Sequence, residues 1–168
     1  MPWARHGLLF RPVEREDLPL LRQHRNEAVG SFRDPMHAWP ADQEAWYRSL
    51  NRESQAFLAS SEVEGHAIGL LRFPTFDWIN RSVGHIGCDV FQAHRGRGHG
   101  AQIMRAAAEY AFVTWGMHRI WSQTRASNQA MIRTLEKAGY VEEGRLREAL
   151  WSDAGYEDFV QFSRLNPA

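Results

Sequence analysis

The feature that most restricts this chain is a change of hydrophobic period across residues 83–115. "VGHIGCDVF" (83–91) alternates with a period of two: Val83, His85, Gly87, Asp89 and Phe91 fall on one face, and Gly84, Ile86, Cys88 and Val90 on the other. "HRGRGHGA" (94–101) then sets three glycines at alternate positions among arginines and histidines. Beyond it Met104, Ala107, Ala108, Ala111, Phe112 and Trp115 recur at helical spacing. A strand, a glycine turn and a helix in that order bring unpartnered helix N–H groups and the positive end of the helix dipole to a loop whose backbone a ligand can approach. That is a setting for a phosphate, to which Arg95 and Arg97 add charge. The bland alternative is a plain turn with two solvated arginines.

Around this unit the pattern is mixed. Residues 7–13 read as a first strand closed near Pro12, with a helix starting near 14–17. "RDPMHAWP" (33–40) reads as loop and 41–53 as a short helix. Residues 55–73 read as two strands joined at Glu64-Gly65, and the aromatic stretch 74–82 as a second loop. Residues 118–126 make a strand, and 127–139 a helix with Ser127 or Asn128 as cap and a stop at Gly139. Residues 140–165 make two strands about a turn at 153–155. The expected fold is α+β (mixed α/β), a central mixed and largely antiparallel sheet flanked by helices, in one domain spanning 1–168.

Composition removes several classes. Twenty basic and twenty acidic residues balance to a formal charge of +0, which argues against a general nucleic-acid binder. One cysteine allows no internal disulfide, which fits a reducing compartment. No run of about 18 apolar residues spans a membrane, and the N-terminus lacks the apolar segment of a signal peptide. The expectation is a soluble, cytoplasmic protein without a metal site. The turn also departs from two nucleotide patterns: it has no G-K-[ST] of a phosphate-binding P-loop, and its third glycine is one position early for G-x-G-x-x-G.

Arg95-Gly96-Arg97-Gly98-His99-Gly100 resembles the Q/R-x-x-G-x-G/A signature of the GNAT acetyltransferase superfamily. "RASNQAMIRTLEKAGY" (125–140) is similar to its second signature through Asn128, Glu136, Lys137, Gly139 and Tyr140. Residues 144–165 resemble the ending of the RimJ/RimL-like branch. The resemblance implies that acetyl-CoA is the co-substrate and that its pyrophosphate rests on backbone N–H groups of residues 96–101, among them His99 and Ala101. It further implies that the strand at 83–91 splays from the one at 118–126, with the pantetheine arm pairing with backbone near Asp89 and Val90. Asn128 then faces that arm, and Lys137 either reaches an outer phosphate or stays a solvated helix charge.

The family pattern breaks at two positions. Leu135 stands where many members carry a tyrosine acid, and Gln123 where some carry a glutamate base. Asp89 and His85 are the substitutes the sequence offers for moving a proton, Asp89 and Asn128 being the residues taken as catalytic. The resemblance places the acceptor among the early helices, the loop after them and the last hairpin. Those segments, with the 74–82 loop, carry Arg25, Asn26, Arg33, His37, Trp39, Trp78, Trp151 and Tyr156. Arg25, Trp39, Trp78 and Trp151 are the expected substrate contacts, unless the tryptophans complete a core or a dimer interface. The implied reaction is acetyl transfer to a primary amine, on a protein N-terminus or a small molecule such as an amino sugar. A non-catalytic acyl-CoA-binding module is the rival reading, and a homodimer is an expected assembly.

Overall fold

The computed structural model describes residues 1–28, 37–152 and 154–167. The elements run β1 (Trp3–Arg5), β2 (Leu8–Pro12), α1 (Leu18–Glu27), α2 (Pro40–Ser49), β3 (Gln55–Ser61), β4 (Ala67–Phe73), β5 (Thr75–Asp77), β6 (Ser82–Gly84) and β7 (Gly87–Val90). Then follow α3 (His99–Trp115), β8 (Arg119–Arg125), α4 (Gln129–Lys137), β9 (Val141–Ser152) and β10 (Gly155–Leu165). β1 was not foreseen. It is three residues long, and what holds it is Trp3, stacked 4.0 Å from Phe10 and 4.1 Å from Tyr110. The loop foreseen at 74–82 contains β5, which pairs with β6 and so closes a small antiparallel ribbon.

The strands form two five-stranded sheets, ordered β1-β2-β3-β4-β7 and β5-β6-β8-β10-β9. β6–β8 is the parallel pair; the others are antiparallel. The single strand expected over 83–91 is therefore two strands, one in each sheet. The break is at His85, whose φ of 55° lies in the left-handed region that a non-glycine residue seldom adopts. His85 and Asp89 thus do not share a continuous strand face. The His85 ring is instead exposed and lies 4.3 Å from the Trp121 ring.

The first sheet is covered on both sides. One face carries the main core: Phe10, Phe57, Ile68, Leu71 and Phe73 meet Ile103, Met104, Ala107 and Ala111 of α3. The alanines keep that side of α3 narrow enough to lie close on the sheet. The other face packs Leu58, Leu70 and Phe91 against Leu18 and Leu21 of α1, with Trp46 and Tyr47 of α2 alongside. Where β4 meets β7 the backbones approach so closely that a Cβ on Gly69 would lie 2.5 Å from the Asp89 carbonyl oxygen. Gly69→Ala is accordingly expected to displace β7 and to cost about 1–3 kcal/mol of stability, the usual range for overpacking. Denaturant titration of the two proteins measures this; equal midpoints would show that the two strands can separate without loss.

Candidate functional site

The parting of β7 from β8 makes the site. The segment leading into β7 runs beside β8 through the β6 pairs Ser82–Arg119 and Val83–Ile120, then through the Ile86 N–H donating to the Trp121 carbonyl at 3.1 Å and the Ser122 hydroxyl donating to the Ile86 carbonyl at 2.6 Å. After Ile86, β7 pairs only with β4. The Phe91 N–H donates to Ile68 at 2.9 Å. By the alternation of an antiparallel ladder, Asp89 also turns its backbone groups toward β4, while Cys88 and Val90 turn theirs toward the gap. Of the two residues expected to offer backbone to the cofactor arm, Val90 is so placed and Asp89 is not. Asp89 presents its side chain instead.

A cleft of about 460 Å³ lies between β7, the glycine turn with the start of α3, and α4. It is lined by Asp89 and Val90 from β7, by Arg95, Gly96, Gly98, His99, Gly100 and Ala101 from the turn and α3, and by Asn128 and Lys137 from α4. Ten of the eleven residues expected to hold cofactor line it, and Arg97 is exposed beside it. Gly98 is the N-cap of α3 at a φ of 85°, with no side-chain cap. The first intrahelical bond is Gln102 N–H to the Gly98 carbonyl at 3.2 Å, so the N–H groups of His99, Gly100 and Ala101 precede the helical ladder. Gly100 has a different role: a Cβ there would lie 3.2 Å from the Thr134 methyl, so it lets α3 and α4 close on each other. The Arg95 guanidinium turns back to the Val90 carbonyl at 3.0 Å. The Asn128 side chain caps α4, accepting from the Met131 N–H at 3.0 Å. The arrangement fits a pyrophosphate-bearing co-substrate: a row of helix N–H donors, a glycine whose backbone conformation few other residues adopt, and Lys137 in reach of the cleft.

On the other side of β7 lies a cavity of about 580 Å³ under α1 and α2. Leu21, His24 and Arg25 of α1, Leu70 and Arg72 of β4, and Asp89 line it. Residues 37–39 and one face of α2 complete the wall, Trp39, Asp42, Gln43 and Trp46 falling at the i, i+3, i+4, i+7 spacing of a helix face. Asn26 holds the loop in place, accepting from the Ala38 N–H at 2.8 Å and donating to the Ala38 carbonyl at 3.2 Å. Among the described residues Asp89 alone lines both the cleft and the cavity. Its carboxylate lies 3.0 Å from the Arg72 guanidinium.

Arg25 and Trp39, expected as substrate contacts, line this cavity, and Trp39 is 71% exposed. Trp78 and Trp151 line neither the cavity nor the cleft. Trp78 stacks on Phe76 at 5.1 Å with the Arg52 guanidinium 5.7 Å above its ring, in the aromatic cluster at the end of α3. Trp151 packs edge-on against Tyr156 near the tip of the β9–β10 hairpin, both outward-facing. Arg33 lies outside the described residues. Leu135 is fully buried in the core, and Gln123 donates to Gln161 at 2.9 Å. His24, Arg72 and Trp46 escaped the sequence reading. The spacing of Trp46 from Trp39 was a readable signal for one of them; Arg72 and His24 sit on elements whose facing surface only the packing reveals.

Burial holds the His24 imidazole below its ordinary range, with Asp89 pulling the other way. A histidine that folds with a lowered pKa favours the unfolded state once protons bind there. Stability contributed by His24 is therefore complete above pH ~6.5 and declines as pH falls below it. His94, also lowered by burial and by its neighbour His66, acts in the same direction. The melting temperature is expected to fall between pH 7.5 and 5.5, and His24→Phe to reduce that fall; an undiminished drop in the variant would assign it elsewhere.

Comparison with known proteins agrees with this geometry. The model of the acetyltransferase (GNAT) domain matches residues 7–141. The spermidine N(1)-acetyltransferase of Vibrio cholerae is 24% identical over 154 residues, 90% of this chain and 88% of the relative. That of Escherichia coli K12 is 22% identical over 164 residues, 96% of this chain and 87% of the relative. The crystal structure of spermidine N-acetyltransferase from Vibrio cholerae in complex with CoA and spermine has a TM-score of 0.85 at 23% identity, covering 96% of each chain. A dodecameric structure of that enzyme has a TM-score of 0.80 at 22% identity, covering 96% of this chain and 95% of its own.

Proposed function

Because the chain belongs to the GNAT acetyltransferase domain family, whose donor is acetyl-CoA, we propose that it acetylates the primary amine of a small acceptor held between α1, α2 and β4. The observation that carries the reading is the position of Asp89, the residue common to the cofactor cleft and the cavity. An amine in the cavity and a thioester in the cleft meet beside it. The cavity volume is that of a small-molecule site, which favours a small amine over a protein N-terminus.

The division of labour follows from the geometry. The N–H groups of His99, Gly100 and Ala101, with Arg97 and Lys137, hold the phosphates of the donor. The Val90 N–H points into the gap and is the donor for the oxygen that gains charge as the amine attacks. Asp89 draws the acceptor's ammonium to the junction and takes up its proton, directly or through water. Asn128 fixes the start of α4, and so the far wall of the cleft. No acid is required of Leu135: a thiol with pKa ≈ 8.5 leaves as a thiolate near neutral pH and recovers its proton from water. Holding both reactants in line supplies much of the acceleration.

Within the family, the ending at 144–165 supports a RimJ/RimL-like chain, whereas the relatives described above carry the name of spermidine acetyltransferases. A second copy of this chain is the proposed partner. β9 leaves a twelve-residue sheet edge, with Val141, Leu146 and Trp151 exposed along it.

The deciding assay is release of CoA thiol from acetyl-CoA with small amines, polyamines, aminoglycosides, amino-sugar nucleotides and N-terminal peptides. Turnover with peptides alone would sink the small-acceptor reading. Asp89→Asn is expected to lower kcat/KM several-fold while leaving acetyl-CoA binding intact, and an unchanged pH–rate profile would remove Asp89 from proton transfer. Gly98→Val forces a β-branched residue to a φ of 85°. It should weaken acetyl-CoA binding at least tenfold by calorimetry, with about 1–2 kcal/mol of strain; normal binding would dismiss the turn as the phosphate site.

A further inference from the structure

The floor of the acceptor cavity carries a guanidinium and a carboxylate side by side. Among the described residues Arg72 makes one polar contact, the ion pair to Asp89 at 3.0 Å, and no hydrogen bond. Of its five N–H donors, the one on Nε is buried and one on Nη2 meets Asp89, which leaves the other Nη donors open in a side chain 36% exposed on the cavity wall. Gly87 makes the room for it: a Cβ at that position would lie 3.3 Å from the guanidinium. Asp89, the other half of the pair, is 21% exposed. A half-buried arginine left with open donors at the base of a cavity is arranged for an anion, and its planar fork suits a carboxylate.

The remaining charges do not favour an acceptor with several cationic centres. The described lining holds two carboxylates. Asp89 is paired with Arg72, and Asp42 accepts the Trp39 N–H at 3.0 Å, capping its own helix. Arg25 and Arg72 face them, and His24 is held toward its neutral form by burial. Above the floor, Trp39 and Trp46 offer apolar wall.

Resting on the acetyltransferase reading, we propose that the acceptor is a free α-amino acid with an apolar or aromatic side chain. Its α-carboxylate binds the open N–H donors of Arg72, its α-ammonium lies at Asp89, and its side chain lies along Trp39 and Trp46. The ammonium gives up one proton to water, its nitrogen bonds the acetyl carbon, the carbon–sulfur bond breaks with its electron pair on sulfur, and a second proton from the nitrogen passes to that thiolate. The products are the N-acetylamino acid and coenzyme A, with one proton released to water for each acetyl moved.

The test compares acceptors that share one side chain. L-phenylalanine carries the carboxylate, L-phenylalaninamide replaces it as a peptide N-terminus does, phenethylamine lacks it, and spermidine represents the polyamines. For the unaltered protein, kcat/KM for L-phenylalanine is expected to exceed that for phenethylamine at least tenfold. In Arg72→Gln that ratio should fall toward one, carried by a rise in KM for the amino acid. Equal turnover of L-phenylalanine and phenethylamine, or preference for spermidine or the amide, would overturn the proposal and leave the acetyltransferase reading standing. Silence from every amine, with acetyl-CoA still bound, would overturn both. The comparison of acceptors on the unaltered protein decides the matter even if Arg72→Gln does not fold.

Discussion

Everything functional in this molecule depends on two neighbouring strands ceasing to pair. β6 and β8 are held by backbone bonds through Ile86 and Trp121, with the Ser122 hydroxyl closing the last contact. The left-handed turn at His85 then passes the chain to the other sheet, where β4 takes up β7. A ladder that stops in this way leaves one edge of β7 with backbone groups that neither sheet satisfies. Such groups are costly when buried, and a bound pantetheine arm is a partner of the right shape and polarity. The cleft is thus a consequence of sheet topology, and the chemistry gathers at its end.

The two sides of β7 have different characters because strand side chains alternate. Cys88 and Val90 face α3, whose first N–H groups precede the helical ladder. Asp89 faces the opposite side, under α1 and α2, where two arginines, two carboxylates and two tryptophans line the cavity. One strand of four residues therefore separates the cleft from the cavity and places a carboxylate between them. The family likeness at 22–24% identity establishes the architecture around this strand, while the acceptor is a matter of side chains that the architecture leaves free to vary.

The tryptophans show how far composition alone can mislead. Four residues were expected on the acceptor side because they are aromatic or cationic and lie in segments near it. Arg25 and Trp39 are there; Trp78 and Trp151 are not. Trp78 is taken up by the aromatic cluster of Phe76 and Trp115, and Trp151 belongs to the surface of a long hairpin. A large aromatic ring satisfies itself with any apolar neighbour, so its presence in a loop says little about which surface it covers.

What the sequence determined by itself is local. The period change at 83–115, the glycine spacing at 96–100 and the cap at Asn128 are written in adjacent residues, because helix starts, left-handed turns and caps are set within a few positions. Ten of the eleven residues that they marked for the cofactor line one cleft. What only the tertiary structure decided is every feature that joins distant segments. Those are the break of one expected strand into two sheets, the meeting of Arg72 with Asp89 seventeen positions apart, and the burial of His24 beside them. The physical reason is that alternation along a strand names two faces but not what covers each of them. Whether Asp89 meets solvent, a helix or a guanidinium depends on residues packed across the sheet, and no periodicity within the strand records them.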